Sequence, residues 1–262
     1  MSAGTVFDDK AARKLEAVYR TPDVVEQRAA ILEALNLKPG ERALDIGCGP
    51  GFLAADMARI VGPTGHVAAV DSSADMVAMT RKRCSAMPWV RVDEADARAL
   101  PYPDESFDAA AAVQVYLYVR GLPHALTGLR RVLKPGGRAL VLDTDWASVV
   151  WHSTDRPRMH RILTAWEDHF ADAHLASRLA AALRHTGFAL MRQSVLALFN
   201  PAYERETYSA GMIPVIRSFV EGRHGISREE AGAWADELRE RGADGTYFFS
   251  LNRYLFLAAK PR

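Results

Sequence analysis

The sequence predicts an α/β protein built on a doubly wound, largely parallel sheet, and three observations predict it. Helix and strand periods alternate from Thr21 to Asp145, the pattern of a parallel sheet with helices on both faces. An apolar strand ending in Leu44-Asp45-Ile46 runs directly into Gly47-Cys48-Gly49-Pro50-Gly51 and then into a helix-compatible run from Phe52 to Ile60. The next strand-like run, His66-Val67-Ala68-Ala69-Val70, ends on Asp71, 20 residues beyond Gly51. That is where a doubly wound fold puts a carboxylate for ribose hydroxyls. Glycines let the backbone turn sharply and a ligand approach closely, and the helix that follows opens with N–H groups lacking intrahelical partners. Together these features point to a nucleoside cofactor.

The remaining elements follow in order. Thr21-Pro22 supplies a cap and a first-turn proline for a helix that places Val24, Arg28, Ile31 and Leu35 on one stripe. A short third strand spans Trp89 to Val92. Leu175, Leu179 and Leu183 form a second helical stripe stopped by Gly187, and Leu190 to Phe199 and Tyr247 to Ala259 are strand-like. Two connections, Trp146 to His174 and Asn200 to Gly245, far exceed the usual ~4–6 residues. The second contains a helix-compatible run, Ser227 to Arg241, opening on the capping-box pattern Ser227-Arg228-Glu229-Glu230. Residues 146 onward leave the carboxyl end of a strand, where ligands sit in this architecture. Segments 146–174 and 200–245, with 1–20, are therefore read as a helical lid over a substrate pocket. A solvent-facing or homodimer surface is the alternative use for them.

Composition narrows the function classes. Of 262 residues, 25% are charged and 49% apolar, with a net charge of +1, so no bulk field recruits nucleic acid. No apolar run approaches the ~18 residues of a membrane span, and Met1 to Lys10 lacks the apolar core of a signal peptide. A cytoplasmic protein is expected. Cys48 and Cys84 are too few for a disulfide scaffold or a four-cysteine zinc site, and Cys48 reads as a small apolar filler in the glycine turn. Asp168-His169-x-x-Asp172-x-His174 could be a metal cluster. On a helix, however, His169 and Asp172 share a face and His174 lies off it, so no metal is expected.

The glycine spacing discriminates between nucleosides. Gly47-x-Gly49-x-Gly51 is one residue shorter than the dinucleotide fingerprint, and Asp45 ahead of it would repel a pyrophosphate while suiting a cationic amine. This segment resembles motif I of the class I S-adenosylmethionine-dependent methyltransferases. Asp71-Ser72-Ser73-Ala74-Asp75-Met76 is similar to the family's second motif, which implies Asp71 for both ribose hydroxyls, Ser72 beside it, and Met76 against the adenine. In Asp93-Glu94-Ala95-Asp96-Ala97, Asp96 matches the residue that receives the adenine amino group, and the Ala97 backbone the one that reads a ring nitrogen. Leu100 to Asp108 and Leu133 to Arg138 resemble the connections into the fourth and fifth strands. Tyr19 resembles a lid tyrosine of related enzymes. The likeness runs from Leu35 to Asp145 and is closest to the branch containing ubiquinone, menaquinone and natural-product methyltransferases.

The resemblance implies one domain over 1–262, a Rossmann-like doubly wound seven-stranded sheet with an antiparallel last strand, plus helical lid insertions. Its core would span 21–145, completed by 175–199 and 246–262. S-adenosylmethionine is the implied cofactor and a small molecule the implied acceptor. Arg28 interrupts an apolar stripe upstream of the glycine turn, where a buried guanidinium needs a partner, and the cofactor's methionyl carboxylate is a candidate. Methyl transfer is an in-line displacement requiring alignment and water exclusion, so no catalytic motif is needed and none is visible. Residues after the fourth and fifth strands should face the methyl group. Gln114 is assigned there to the cofactor, and Tyr116, Asp145 and Trp146 to the substrate pocket. Gln114-Val115-Tyr116-Leu117 lacks the Asn/Asp-Pro-Pro-aromatic pattern of enzymes that methylate exocyclic amines of nucleic acid bases. Neither cysteine suits a cytosine C5 or arsenic mechanism. The alternatives are a cyclase or isomerase using the bound cofactor on the same fold, and a non-catalytic cofactor sensor.

Overall fold

The computed structural model describes residues 16–262, whose centre is a mixed sheet. The parallel part is formed by β1 (Arg42–Ile46), β2 (His66–Asp71), β3 (Val90–Glu94), β4 (Phe107–Val113) and β5 (Leu133–Thr144), in the order β3-β2-β1-β4-β5. After β6 (Val150–Trp151) and β7 (Ala189–Asn200), the last strand β8 (Phe249–Ala259) inserts antiparallel between β5 and β7. Among the described residues eight strands are thus present where seven were expected. The extra one, β6, has two residues and a physical cause. β8 extends past its last pair with β5, Thr144↔Arg253, leaving backbone groups of Phe249 and Ser250 without partners on that side. After the 3₁₀ turn Trp146–Ser148 the chain returns to pair Val150 with Ser250 and Trp151 with Phe249.

Side chains alternate across the central strands, as the pleat demands. Leu44, Ile46, Ala110 and Ala112 face α4 (Leu122–Val132) and α6 (Ala176–His185) through Leu126, Leu129, Leu179 and Leu183. Ala43, Val67, Ala69, Ala109 and Ala111 face α1 (Pro22–Leu35) and α2 (Phe52–Val61) through Ile31, Leu35, Met57 and Val61. The alanine run of β4 is fully buried, and its small side chains let both helical layers close on the sheet. α3 (Ala74–Arg83) follows β2. Thr21 precedes α1 but does not cap it with its side chain. Its hydroxyl donates back to the Val18 carbonyl at 2.9 Å.

The two long connections build a third layer at the carboxyl end of the parallel strands. It consists of α5 (Arg156–Glu167), α7 (Tyr208–Val220) and α8 (Arg228–Ala243), packed through Trp166, Ile213, Ile216, Trp234 and Leu238 in a core continuous with that of the sheet. Half of the expected capping box forms. The Glu230 N–H donates to Ser227 Oγ at 3.0 Å, but the Glu230 carboxylate pairs across the layer with Arg161 instead of returning to the cap. Glu237 of α8 stitches the layer together. It accepts from Ser153 Oγ, the Thr154 N–H and Arg158 Nη2 at 2.9, 2.7 and 2.7 Å. Burial alone would raise its carboxyl, but Arg158 and these donors hold it at about 2. Residues 1–15 of the segment 1–20 read as lid lie outside the described residues.

Candidate functional site

β1 and β2 deliver two carboxylates to one end of the sheet. Asp45, paired in register with Ala69 and Ala111, is 2% exposed, and among the described residues its Oδ2 has no hydrogen-bond partner. Burial pushes its carboxyl up to about 8, the neighbouring Asp71 charge adding to the effect. Asp71 accepts from the Gly49 N–H through Oδ2 and from the Ser73 N–H through Oδ1, both at 2.9 Å. Burial raises its carboxyl while those donors oppose the rise. Ser73 caps α3, whose first turn buries Met76, and Ser72 beside it is exposed.

The glycine turn divides its labour. At Gly51 (φ +81) a Cβ would lie 2.6 Å from Thr80 Oγ1, and a side chain at Gly47 would collide with Val115. The protein's own packing therefore requires these two glycines. Only Gly49 has a different neighbour, the Tyr19 hydroxyl, 3.2 Å from where its Cβ would stand. Thr80 also donates to the Gly49 carbonyl at 2.7 Å and sits 3.5 Å from Cys48 Sγ, so the buried thiol fills the turn, its ionisation pushed up by burial.

Several expected residues have partners within the protein. Arg28 is paired across two helices. Its Nε donates to Asp56 of α2 at 2.8 Å and its Nη1 to the Tyr19 carbonyl at 3.3 Å, because α2 brings an acid to the point where the stripe is interrupted. The Tyr19 ring lies nearly parallel to Phe52 at 6.2 Å, and burial, with Asp71 and Asp45 adding, raises its phenol to about 12. Asp96 follows β3, half-buried, and pairs with Arg98, which lowers its carboxyl; Ala97 is next to it. Gln114 follows β4 at φ +57, a sparsely populated conformation for a residue other than glycine. Its Oε1 accepts from Thr144 Oγ1 at 2.7 Å.

Tyr116 is buried in the 3₁₀ turn after β4, its hydroxyl without a partner among the described residues and its ionisation pushed up by burial. It borders a cleft of about 430 Å³ shared with Arg120, Leu122, Asp172, Leu175 and Arg178, which does not include Asp45 or Asp71. Trp146 is 5% exposed and packs on Phe170 and Trp166 with ring centroids 5.5 and 5.6 Å away, so it is largely core. Asp145 accepts from the Ala147 N–H at 3.0 Å and contacts His174 Nδ1 at 3.1 Å, and this contact raises the His174 pKa.

That pairing overturns the helical reading of residues 168–174. α5 ends at Glu167, so the segment turns and its side chains disperse. His169 stacks on Trp166 at 4.4 Å, and burial lowers it to about 4. Asp168 meets His224 at 2.7 Å, Asp172 pairs with Arg178, and His174 bridges Asp145 and Glu167. Among the described residues no group of three such side chains is placed to hold a metal.

Two further buried groups lie at this end of the sheet, Asp143 among the residues expected to face the methyl group and Arg253 outside every expectation. Asp143, near the end of β5, accepts from the Val115 N–H at 3.1 Å, and its Oδ2 is unpartnered among the described residues; burial raises it to about 8. Arg253, the one charged residue of β8, is buried beside Tyr208 of α7. The sequence signal for Arg253 was there, a lone charge between Leu251 and Leu255 on an inward-facing register. Tyr208 carried none.

A parallel sheet whose first two strands end in carboxylates flanking a three-glycine turn defines a nucleoside-binding α/β protein. The unpartnered Asp45 oxygen fits a cationic ligand and would repel a phosphate. The Methyltransferase domain family matches residues 43–137. An uncharacterised 37.1 kDa protein in transposon TN4556 of Streptomyces fradiae is 30% identical over 98% of this chain and 74% of its own length. The 2-phytyl-1,4-naphtoquinone methyltransferase of Trichormus variabilis is 42% identical over 40% of the chain, a match spanning 48% of that enzyme, about half its length. A phosphoethanolamine N-methyltransferase of Haemonchus contortus, solved with S-adenosyl-L-methionine, shares the fold with a TM-score of 0.64, at 18% identity over 99% of this chain and 59% of that one. The chain belongs to the class I S-adenosylmethionine-dependent methyltransferases.

Proposed function

We propose that the protein transfers a methyl group to a small organic acceptor, not a nucleic acid, beneath a lid formed by segments 146–174 and 200–245. The whole of 1–262 is read as one methyltransferase domain. The observation that carries the proposal is the buried Asp45 carboxylate, one oxygen unpartnered among the described residues, beside Asp71 at the ligand end of the sheet. S-adenosylmethionine, when bound, supplies an electrophilic methyl group on a sulfonium. Asp45 would hold the ammonium of the cofactor. Asp71 uses one lone pair on each oxygen for a backbone N–H, which leaves acceptor capacity on both for two ribose hydroxyls. Met76 would pack on the adenine, with Asp96 and the Ala97 backbone at its polar edge and Ser72 at the ribose.

Arg28 would act through Tyr19, fixing its backbone so that the phenol stands over Gly49. Gln114, locked by Thr144, would line the path of the methyl group, with Tyr116, Asp145 and Asp143 on the acceptor side. The helical layer would exclude water from a displacement that gains from it. The naphtoquinone methyltransferase relative supports a small organic acceptor. The test is incubation with S-adenosylmethionine labelled in its methyl group and a metabolite extract. A labelled extractable product is expected. Cofactor binding without any labelled product would overturn transfer in favour of a cyclase or a sensor.

A further inference from the structure

Arg253 is the least explained charge in the molecule. It lies on β8 opposite Thr144, the last residue of β5, and opposite Leu196 of β7. Because β8 runs antiparallel, its early residues stand at the carboxyl end of the parallel strands, where the glycine turn and the carboxylates also are. Leu255 and Leu257, on the same face of β8, enter the α1–α2 layer, and Arg253 is the next residue outward on that face, 4% exposed.

A guanidinium so buried is costly unless its charge is balanced. Among the described residues it has no carboxylate partner in a salt bridge. Nη1 donates to the amide oxygen of Gln27 on α1, Nε has no partner, and Cζ sits 4.6 Å from the centre of the Tyr208 ring. An amide and an aromatic face orient a cation without neutralising it. The nearby acid Asp143 feels the Arg253 charge but makes no salt bridge with it and lies on the other face of the sheet, since the register sets Arg253 against Thr144 and Asp143 against Tyr254.

The Arg253 charge also reaches the phenols of Tyr19 and Tyr118, favouring their ionisation, although Tyr118 is half-exposed. Those two rings and Tyr208 come from three separate elements, the segment before α1, the 3₁₀ turn after β4, and α7. A buried, fixed cation with an unpartnered Nε donor is the chemistry of an anion site.

We propose that Arg253 recognises an anionic oxygen, a carboxylate or an ionised phenol or enol, on the methyl acceptor. This rests on the methyltransferase reading and narrows its substrate class to organic anions. The cofactor's own carboxylate is the rival occupant. It is disfavoured because the order β1-β4-β5-β8 sets Arg253 three strands from Asp45, about 14 Å at the usual strand spacing.

The experiment measures binding of paired probes to the protein loaded with S-adenosylhomocysteine, 1-naphthoate against 1-naphthamide and, at mildly alkaline pH, 4-nitrophenolate against 4-nitroanisole. At least one anion should bind at least about tenfold more tightly than its neutral counterpart, and the arm that does so identifies the oxygen. Arg253→Gln should abolish that preference while leaving S-adenosylhomocysteine affinity within about threefold, and Arg253→Lys should retain part of it. Equal binding of both members in both pairs, or no anion binding at all, overturns the proposal. So does a comparable loss of S-adenosylhomocysteine affinity in Arg253→Gln, which would assign the residue to the cofactor. Should Arg253→Gln not fold, the wild-type pairs and Arg253→Lys decide. Failure of S-adenosylhomocysteine to bind the wild type would instead overturn the methyltransferase reading itself.

Discussion

Cofactor binding should expel a proton, and the proton should come from Asp45. Its carboxyl is raised to about 8 by burial, so at pH 7 about 0.9 of the free molecules carry it protonated. An ammonium placed against the unpartnered oxygen favours the ionised form, so binding at pH 7 should release close to one proton. Linkage fixes the sign: the ligand prefers the deprotonated site, so affinity rises with pH, approaching tenfold per unit well below pH 8, and levels off above it. Calorimetry of S-adenosylhomocysteine binding in buffers of different ionisation enthalpy measures the release directly. Asp45→Asn should bring it near zero and flatten the pH dependence. The free variant should also gain stability. Wild-type Asp45 ionises at about 3.9 unfolded and about 8 folded, so it opposes folding increasingly across that interval and fully above it. The Tm of free Asp45→Asn should therefore exceed that of the wild type at pH 8, although its cofactor affinity falls. No proton release, with an affinity indifferent to pH, would refute the assignment of Asp45 to the ammonium.

Asp71→Ala should lose about 2–4 kcal/mol of S-adenosylhomocysteine affinity by calorimetry, since two hydroxyls lose a charged acceptor. Glu237→Gln should lower stability by about 3 kcal/mol near neutral pH, from a carboxyl held at about 2 against the ordinary 4.5. That contribution is present above pH 4.5 and disappears as pH falls toward 2, so denaturant midpoints of wild type and variant should converge over this window. Trp146→Ala should cost about 3–5 kcal/mol of stability in addition to any change in acceptor use, because its ring packs on Phe170 and Trp166; an unchanged denaturant midpoint would contradict its place in the core. Hydrogen exchange in 146–174 and 200–245 should slow when cofactor and acceptor are both bound, and equal protection with and without them would argue against a lid.

What the sequence revealed is what local chemistry determines. The run from Leu44 to Gly51 and the carboxylate at Asp71 are each set by neighbours a few residues away, and the parallel, doubly wound core follows from the alternation of elements. What escaped was decided at long range. Arg28 meets Asp56 across two elements, Glu230 leaves its own cap for Arg161, and Arg253 reaches Gln27 across 226 positions. The Asp168–His174 cluster misled for a related reason. A helical projection assumes a helix, and this one ends at Glu167, where the chain turns to bring His174 back to Asp145. β6 has no pattern of its own at two residues, being a consequence of the overhang of β8.

The contacts around α1 tie the roof of the site to its floor. Asp23, in the first turn of α1, accepts from the Tyr208 N–H at 3.0 Å and from Asn200 Nδ2 at 3.1 Å, fixing the start of α7 and the end of β7 to α1. Five residues on, Arg28 joins α1 to α2 through Asp56 and to the Tyr19 carbonyl, and α2 begins immediately after Gly51. Contiguous contacts of this kind are what energetic coupling requires, although they do not set its size. A cofactor held at Asp45 and Gly49, as proposed, would therefore act on the helix that binds the first residue of α7, and Tyr208 is the residue whose ring covers Arg253. Cofactor and acceptor binding should be coupled through this connectivity. With the glycine turn settled first, α1 holds Tyr208 over a finished anion site, so the acceptor should bind the cofactor-loaded protein more tightly than the free one, and by linkage each ligand should strengthen the other equally.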